Sequence, residues 1–206
     1  MFKDITGLGC TGHLKVRDIS DDPELGAVDK SFGNKLVDKK NAIHPGNMVW
    51  AIANSMVGQD SANTFSIGWI GFGDGGSEIA ETGTITYRPT NTTNNRNELA
   101  DLYQRVYQKK IDNEGFTMEP SPVLYARPIA DINISVVLQQ GEPFGQLPMD
   151  NSVEFSDRFV FDEIGLFTNS ENIDDAFMVT HIVFHPIQKS LNRTLAIDYT
   201  IRFELV

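Results

Sequence analysis

Residues Phe65 to Gly76 read FSIGWIGFGDGG. This stretch constrains the fold more than any other. Phe65, Ile67 and Trp69 alternate with Ser66 and Gly68, and then Ile70 and Phe72 place bulk on the opposite side. A strand with large residues on both faces is buried on both faces. It runs directly into Gly71, Gly73, Asp74, Gly75 and Gly76, which read as a tight turn needing backbone freedom at φ > 0. The chain must therefore supply covering layers on both sides of one central strand.

The remaining pattern supplies them mostly as strands. Gly12 to Ile19 alternates Leu14 and Val16 with Lys15 and Arg17, and Lys35 to Lys40 is its expected hairpin partner across a long loop. Pro45 opens a helix over 45–57, where its missing N–H needs no partner. Met48, Ile52 and Met56 form the apolar stripe, flanked by Val49, Ala53 and Val57. Trp50 falls off that stripe, at the edge of the core or against a neighbouring subunit. His44 stands where it can cap the helix. A second helix is expected over 96–110, capped by Asn95 with Glu98 in the capping-box position. Its apolar face is Leu99, Leu102, Tyr103 and Val106, and Lys109 and Lys110 suit its C-terminal dipole. From Val123 the chain reads as β. Ile132, Ile134, Val136 and Leu138 alternate with polar residues, and 155–167 is a second doubly buried strand. Residues 177–186 form another strand. In 194–205, Leu195, Ile197, Tyr199, Ile201, Phe203 and Leu205 face one way, while Ala196, Asp198, Thr200, Arg202 and Glu204 face the other. The expected fold is α+β, mostly β, with an antiparallel sandwich-like core and two helices. One domain is expected over 1–206, with a flexible arm over about 1–12 and a division into lobes 13–115 and 120–206 as the alternative.

Composition narrows function. Net charge is −11, which repels phosphate backbones and argues against nucleic acid as a ligand. It suits solubility or docking onto a basic protein surface. The single cysteine, Cys10, excludes an internal disulfide and a cysteine-based zinc site. No apolar run approaches the ~20 residues of a membrane span. The N-terminus MFKDITGLGC lacks the long apolar core of a signal peptide, so assembly in a cytoplasm is expected.

No constellation of residues points to catalysis. Gly71 to Gly76 fits G-x-G-x-x-G, but the following SEIAETGTITY is a poor helix, and a dinucleotide site needs a helix N-terminus there. His181 and His185 on one strand would stand roughly 13 Å apart, too far for one metal. The acidic pairs Asp21-Asp22 and Asp174-Asp175 lie in loops and read as solvated. Asp162 and Glu163 differ, because they interrupt a buried strand. One of them must share a side with large apolar residues, which implies charge pairing or an interface. Arg158, Arg127 and Arg202 are the candidate partners. No catalytic residue, cofactor or metal is expected.

Two segments carry a family resemblance. The helix MVWAIANSM followed by the strand and turn IGWIGFGDGG resembles the N-terminal regions of tailed-bacteriophage collar and fibre proteins, with their "IAFGDGG"-like turn. Asp162-Glu-Ile-Gly-Leu-Phe is similar to the "REIGLF" strand of the same families. Residues 38–48, DKKNAIHPGNM, resemble structural proteins of contractile-tailed phages. The matches span roughly 35–90 and 155–205. The resemblance implies a non-enzymatic virion protein at the neck, collar or baseplate, in multiple copies, with other virion proteins as partners and no membrane. Fibre proteins continue into a trimeric shaft, whereas this chain stops at Val206. That favours a compact assembly or fibre-attachment piece over a host-recognition tip. A carbohydrate-binding or receptor-binding module is the alternative, suggested by Trp50, Trp69, Tyr103 and Tyr107.

Overall fold

The computed structural model describes residues 7–57, 66–92, 100–111, 116–120, 129–144 and 159–205. Eleven strands and two helices are described: β1 (Leu8–Asp18), α1 (Pro23–Val28), β2 (Asn34–Ile43), α2 (Pro45–Val57), β3 (Ile67–Gly73), β4 (Ser77–Ile79), β5 (Ile85–Tyr87), β6 (Arg105–Lys110), β7 (Phe116–Pro120), β8 (Ile129–Leu138), β9 (Val160–Thr168), β10 (Met178–Gln188) and β11 (Leu195–Leu205). Nine of the strands form one antiparallel sheet in the order β6-β3-β9-β10-β2-β1-β11-β8-β7, and β4 and β5 form a separate hairpin. The fold is α+β and mostly β, as the residue pattern implies.

The large sheet curls at β2. Asn34 to Asn41 of β2 pair with β1, and then Ala42 and Ile43 pair with His181 and Thr180 of β10. One strand thus serves both halves, and the halves face each other across one principal core. Leu14, Val16, Ile134, Leu138, Ile197 and Ile201 come from one half, and Ile70, Phe72, Ile164, Leu166, Ile182 and Phe184 from the other. Polar bonds also cross the core. Tyr199 Oη donates to Thr180 Oγ1 at 2.8 Å. Lys109 Nζ on β6 bonds the carbonyl of Val137 on β8 at 2.8 Å and the Glu142 carboxylate at 2.8 Å.

The alternation in β11 is realised as buried Leu195, Ile197, Tyr199 and Ile201. On its other face Arg202 pairs with Asp131 at 2.7 Å, and Thr200 bonds Asn133 at 2.9 Å. Cross-strand pairs of this kind fix register.

Arg17 is the exception on β1, being 5 % exposed. Its guanidinium bonds Asp198 at 2.8 and 3.1 Å and the carbonyls of Gly26, Asp29 and Phe32 at 3.2, 3.0 and 2.5 Å. Those carbonyls belong to the loop that contains α1, so one side chain ties that loop to the sheet. Asp22 caps α1 by accepting from Leu25 N at 3.0 Å, with Pro23 at the first helical position.

Several expectations are corrected. Residues 105–110 of the expected second helix form β6, an edge strand paired with β3. Leu102 and Val106 have helical spacing, but the hydrogen bonds that β3 offers override it. Residues 96–99 lie outside the described set. The segment from Leu8 to Gly12, expected as part of the arm, is the start of β1 and pairs with β11 as far as Leu205. The long loop after β1 holds α1. α2 spans Pro45–Val57 as expected, but its buried positions include Asn47, Met48 and Ala51, while Val49 and Met56 are exposed. Only its first turns lie over the sheet.

Candidate functional site: a carboxylate-bound glycine turn

The two singled-out stretches are neighbours. β3 pairs antiparallel with β9, with Gly71 opposite Gly165, Phe72 opposite Ile164 and Gly73 opposite Glu163. β9 in turn pairs with β10, placing Gly165 opposite His181. Residues 100–105 cross the outer side of this ladder, and Leu102 packs with Phe167 and Met178 in a second, smaller core. β9 is therefore covered on both faces.

Among the described residues, Asp162 and Glu163 pair with no arginine. Arg202 is bound to Asp131, and Arg127 and Arg158 lie outside the described residues. Backbone amides take the arginines' place. Asp162 accepts from Gly76 N at 2.8 Å, Ser77 N at 2.7 Å and Ser77 Oγ at 2.5 Å. Glu163 accepts from Gln104 N at 2.9 Å, Tyr103 N at 3.0 Å and Gly75 N at 3.3 Å. His181 Nε2 completes its shell at 2.9 Å, and both side chains are fully buried. A turn running out of a strand has amides with no ladder partner, and buried amides require acceptors. The two carboxylates satisfy that demand on both sides of β9.

Burial pushes Glu163 upward, but bonds from His181 and the Gln104 and Tyr103 amides outweigh it and hold its pKa below the ordinary value. Burial and the Glu163 charge together raise Asp162 despite its bonds from Ser77 and Gly76. Burial, then repulsion from Asp162 and Glu163, also raises Asp74. The ionised group on which the cluster depends is Glu163.

The glycines are needed for space and not for φ. Among the described residues, only Gly33, Gly83 and Gly141 are glycines with positive φ, so the expected left-handed turn at 71–76 is corrected. A Cβ on Gly73 would stand 2.5 Å from the Gln104 carbonyl, one on Gly75 would stand 2.8 Å from Gln104 N, and one on Gly76 would stand 3.0 Å from the Asp162 carbonyl. Real Cβ atoms essentially never approach backbone as closely as at Gly73 and Gly75, and the Gly76 distance is tighter than nearly all of them. Gly73→Ala is expected to destabilise by about 2 kcal/mol through overpacking. A thermal melt should show this as a fall of ~4–8 °C for a chain of this size.

The histidines separate by role. His44 Nδ1 accepts from Asn47 N at 3.2 Å, which caps α2 as expected. His13 meets Asp38 at 2.8 Å on the surface. His181 is buried and His185 is exposed. Among the described residues, no group of three or more His, Cys, Asp or Glu is placed to hold a metal ion. No helix among them is long and apolar enough to cross a membrane. Ser77, Tyr103 and Gln104 are the members of this site that sequence reasoning missed. All three contribute a backbone N–H, which no side-chain pattern reports.

No family model, curated protein or solved structure matches the chain.

Proposed function

We propose that the chain is a non-enzymatic structural protein of a tailed-phage virion, packed in multiple copies at the neck, collar or tail and serving as an assembly or fibre-attachment piece. One observation carries this reading. The two segments that resemble collar and fibre proteins, IGWIGFGDGG and DEIGLF, are adjacent strands whose turn and carboxylates bind each other. The resemblance therefore falls on a single structural unit. The acceptor atoms of Asp162 and Glu163 are occupied by backbone amides, which suits a scaffold better than acid–base chemistry. The −11 charge suits docking against basic virion partners, with no role for nucleic acid or membrane.

Within this reading, a baseplate position is the nearest variant. A carbohydrate- or receptor-binding module has less support. Trp69 donates to the Ser170 carbonyl at 3.0 Å, Tyr103 to the Pro89 carbonyl at 2.6 Å, and Tyr107 packs on Phe72 at 5.9 Å between centroids. Rings held in this way are poor sugar platforms. Mass spectrometry of gradient-purified virions should recover the chain in multiple copies. Its absence from mature particles would overturn the proposal, and glycan-array binding by the isolated monomer would favour the receptor reading.

A further inference from the structure

The β4–β5 hairpin and the residues after it, 77–92, form an arm laid along β10. Its base is fixed by Asp162 and by Arg88 N donating to the Gly76 carbonyl at 2.8 Å. Its outgoing leg meets two imidazoles of β10. Tyr87 Oη lies 3.0 Å from His185 Nδ1, and Asn91 N donates to His181 Nδ1 at 2.8 Å. These two contacts respond differently to a proton. A phenol can donate or accept, so the Tyr87 contact survives protonation of His185, with the Tyr87 oxygen then accepting. A backbone N–H can only donate. His181 must therefore be neutral, with a lone pair at Nδ1 and its proton at Nε2, where it is given to Glu163.

We propose that residues 77–92 are a strap whose end is held on β10 by neutral His181, and that protonating Nδ1 frees the Asn91 amide and loosens that end, where Asn91 Nδ2 on the Asp101 carbonyl and Tyr103 Oη on the Pro89 carbonyl remain. The proton comes from solvent, and the imidazolium stays beside the Glu163 carboxylate. Asn91 N–H then faces another N–H and loses its acceptor. Among the described residues, the charged and titratable groups around this point are few. Glu163 comes from β9, Asp74 from the turn after β3, Arg88 from the strap, and Asp101 and Tyr103 from the segment before β6. The Tyr103 ring stands 5.7 Å from the imidazole, with Arg88 5.1 Å over that ring. At His185, Lys39 lies 6.0 Å over the Tyr87 ring. This inference is independent of the virion reading.

The test is amide hydrogen exchange at about pH 7.5 and about pH 5.5, the range that brackets histidine titration, corrected for intrinsic rates. The Asn91 amide and its neighbours in 88–92 should exchange roughly tenfold faster at the lower pH, with β8 and β11 unchanged. His181→Asn places an amide oxygen where Nδ1 stood and should make the strap's exchange independent of pH. His185→Asn should leave the pH response intact. Equal protection of Asn91 at both pH values, or a pH response surviving in His181→Asn, would overturn the proposal. Should His181→Asn fail to fold, the imidazole ¹⁵N shifts of the wild-type chain decide. They must show Nδ1 becoming protonated as the strap opens, and an unprotonated Nδ1 in the opened state would overturn the proposal equally.

Discussion

Glu163→Ala is expected to be the most destabilising single change in the carboxylate cluster, at about 4 kcal/mol. The side chain is fully buried and receives three backbone N–H groups and the His181 ring. Removing it leaves four buried donors without an acceptor, and each buried polar group left unsatisfied costs about 1–3 kcal/mol before the site relaxes. For a chain of this length that is a fall of ~8–16 °C in melting temperature. Glu163→Gln should cost less, since one acceptor oxygen survives while the new amide group opposes the donors. The pH dependence follows from the sign of the shift. The folded pKa of Glu163 lies below its ordinary 4.5, so its stabilisation is fully present above that value and is lost as pH falls through the folded pKa. Differential scanning calorimetry should therefore show the gap between wild type and Glu163→Gln narrowing below about pH 4.5. A constant gap across that window would mean that Glu163 does not carry the charge assigned to it.

Arg17→Met is the second large effect, expected at about 3 kcal/mol. Methionine keeps much of the aliphatic stem but none of the five donated bonds. Asp198, whose side chain is 13 % exposed, keeps its bond from Ser135 Oγ at 2.9 Å but loses its bidentate cation. The carbonyls of Gly26, Asp29 and Phe32 lose their donor. A carboxylate left with Lys30 at 3.9 Å as its remaining cation and three freed carbonyls make the change costly, although part of the loop can turn to water. Limited proteolysis should locate the damage in 19–33, the loop that Arg17 holds, before the sandwich itself is cut. Cleavage first elsewhere would contradict the assignment. An Asp198→Asn variant should be milder, because two of the guanidinium nitrogens keep their carbonyls.

The sequence made some of this legible and hid the rest for identifiable reasons. β11 shows its alternation because one of its faces is polar from Asp198 to Glu204. α2 announces its start through Pro45 and His44, both local signals. β3 and β9 are recognisable as doubly buried because both faces carry bulk. The segment 105–110 misleads because its partner, β3, is more than thirty residues away in sequence, while Leu102 and Val106 offer a false helical period. α1 was readable in principle, since Asp22-Pro23 is a cap followed by a favourable first residue. It is one and a half turns long and has no apolar stripe to mark it. The site divides in the same way. Gly71, Gly73, Asp74, Gly75, Gly76, Asp162 and Glu163 stand out as residues in the wrong company, glycines crowding a strand end and charges inside an apolar run. What joins them is backbone N–H groups, and every residue except proline carries one. Composition points instead to arginine, which plays no part in the described cluster.

Asp162 and Glu163 hold an irregular turn as firmly as a ladder would. Amide exchange at Gly75, Gly76, Ser77, Tyr103 and Gln104 tests this most directly, because such positions outside the large sheet ordinarily exchange by local opening. The prediction for the wild-type chain at neutral pH is protection close to that of the β9 and β10 amides, with Glu163→Gln lowering it at Gly75, Tyr103 and Gln104 while leaving Gly76 and Ser77 bound to Asp162. Exchange of all five amides at loop rates in the wild-type chain would contradict it.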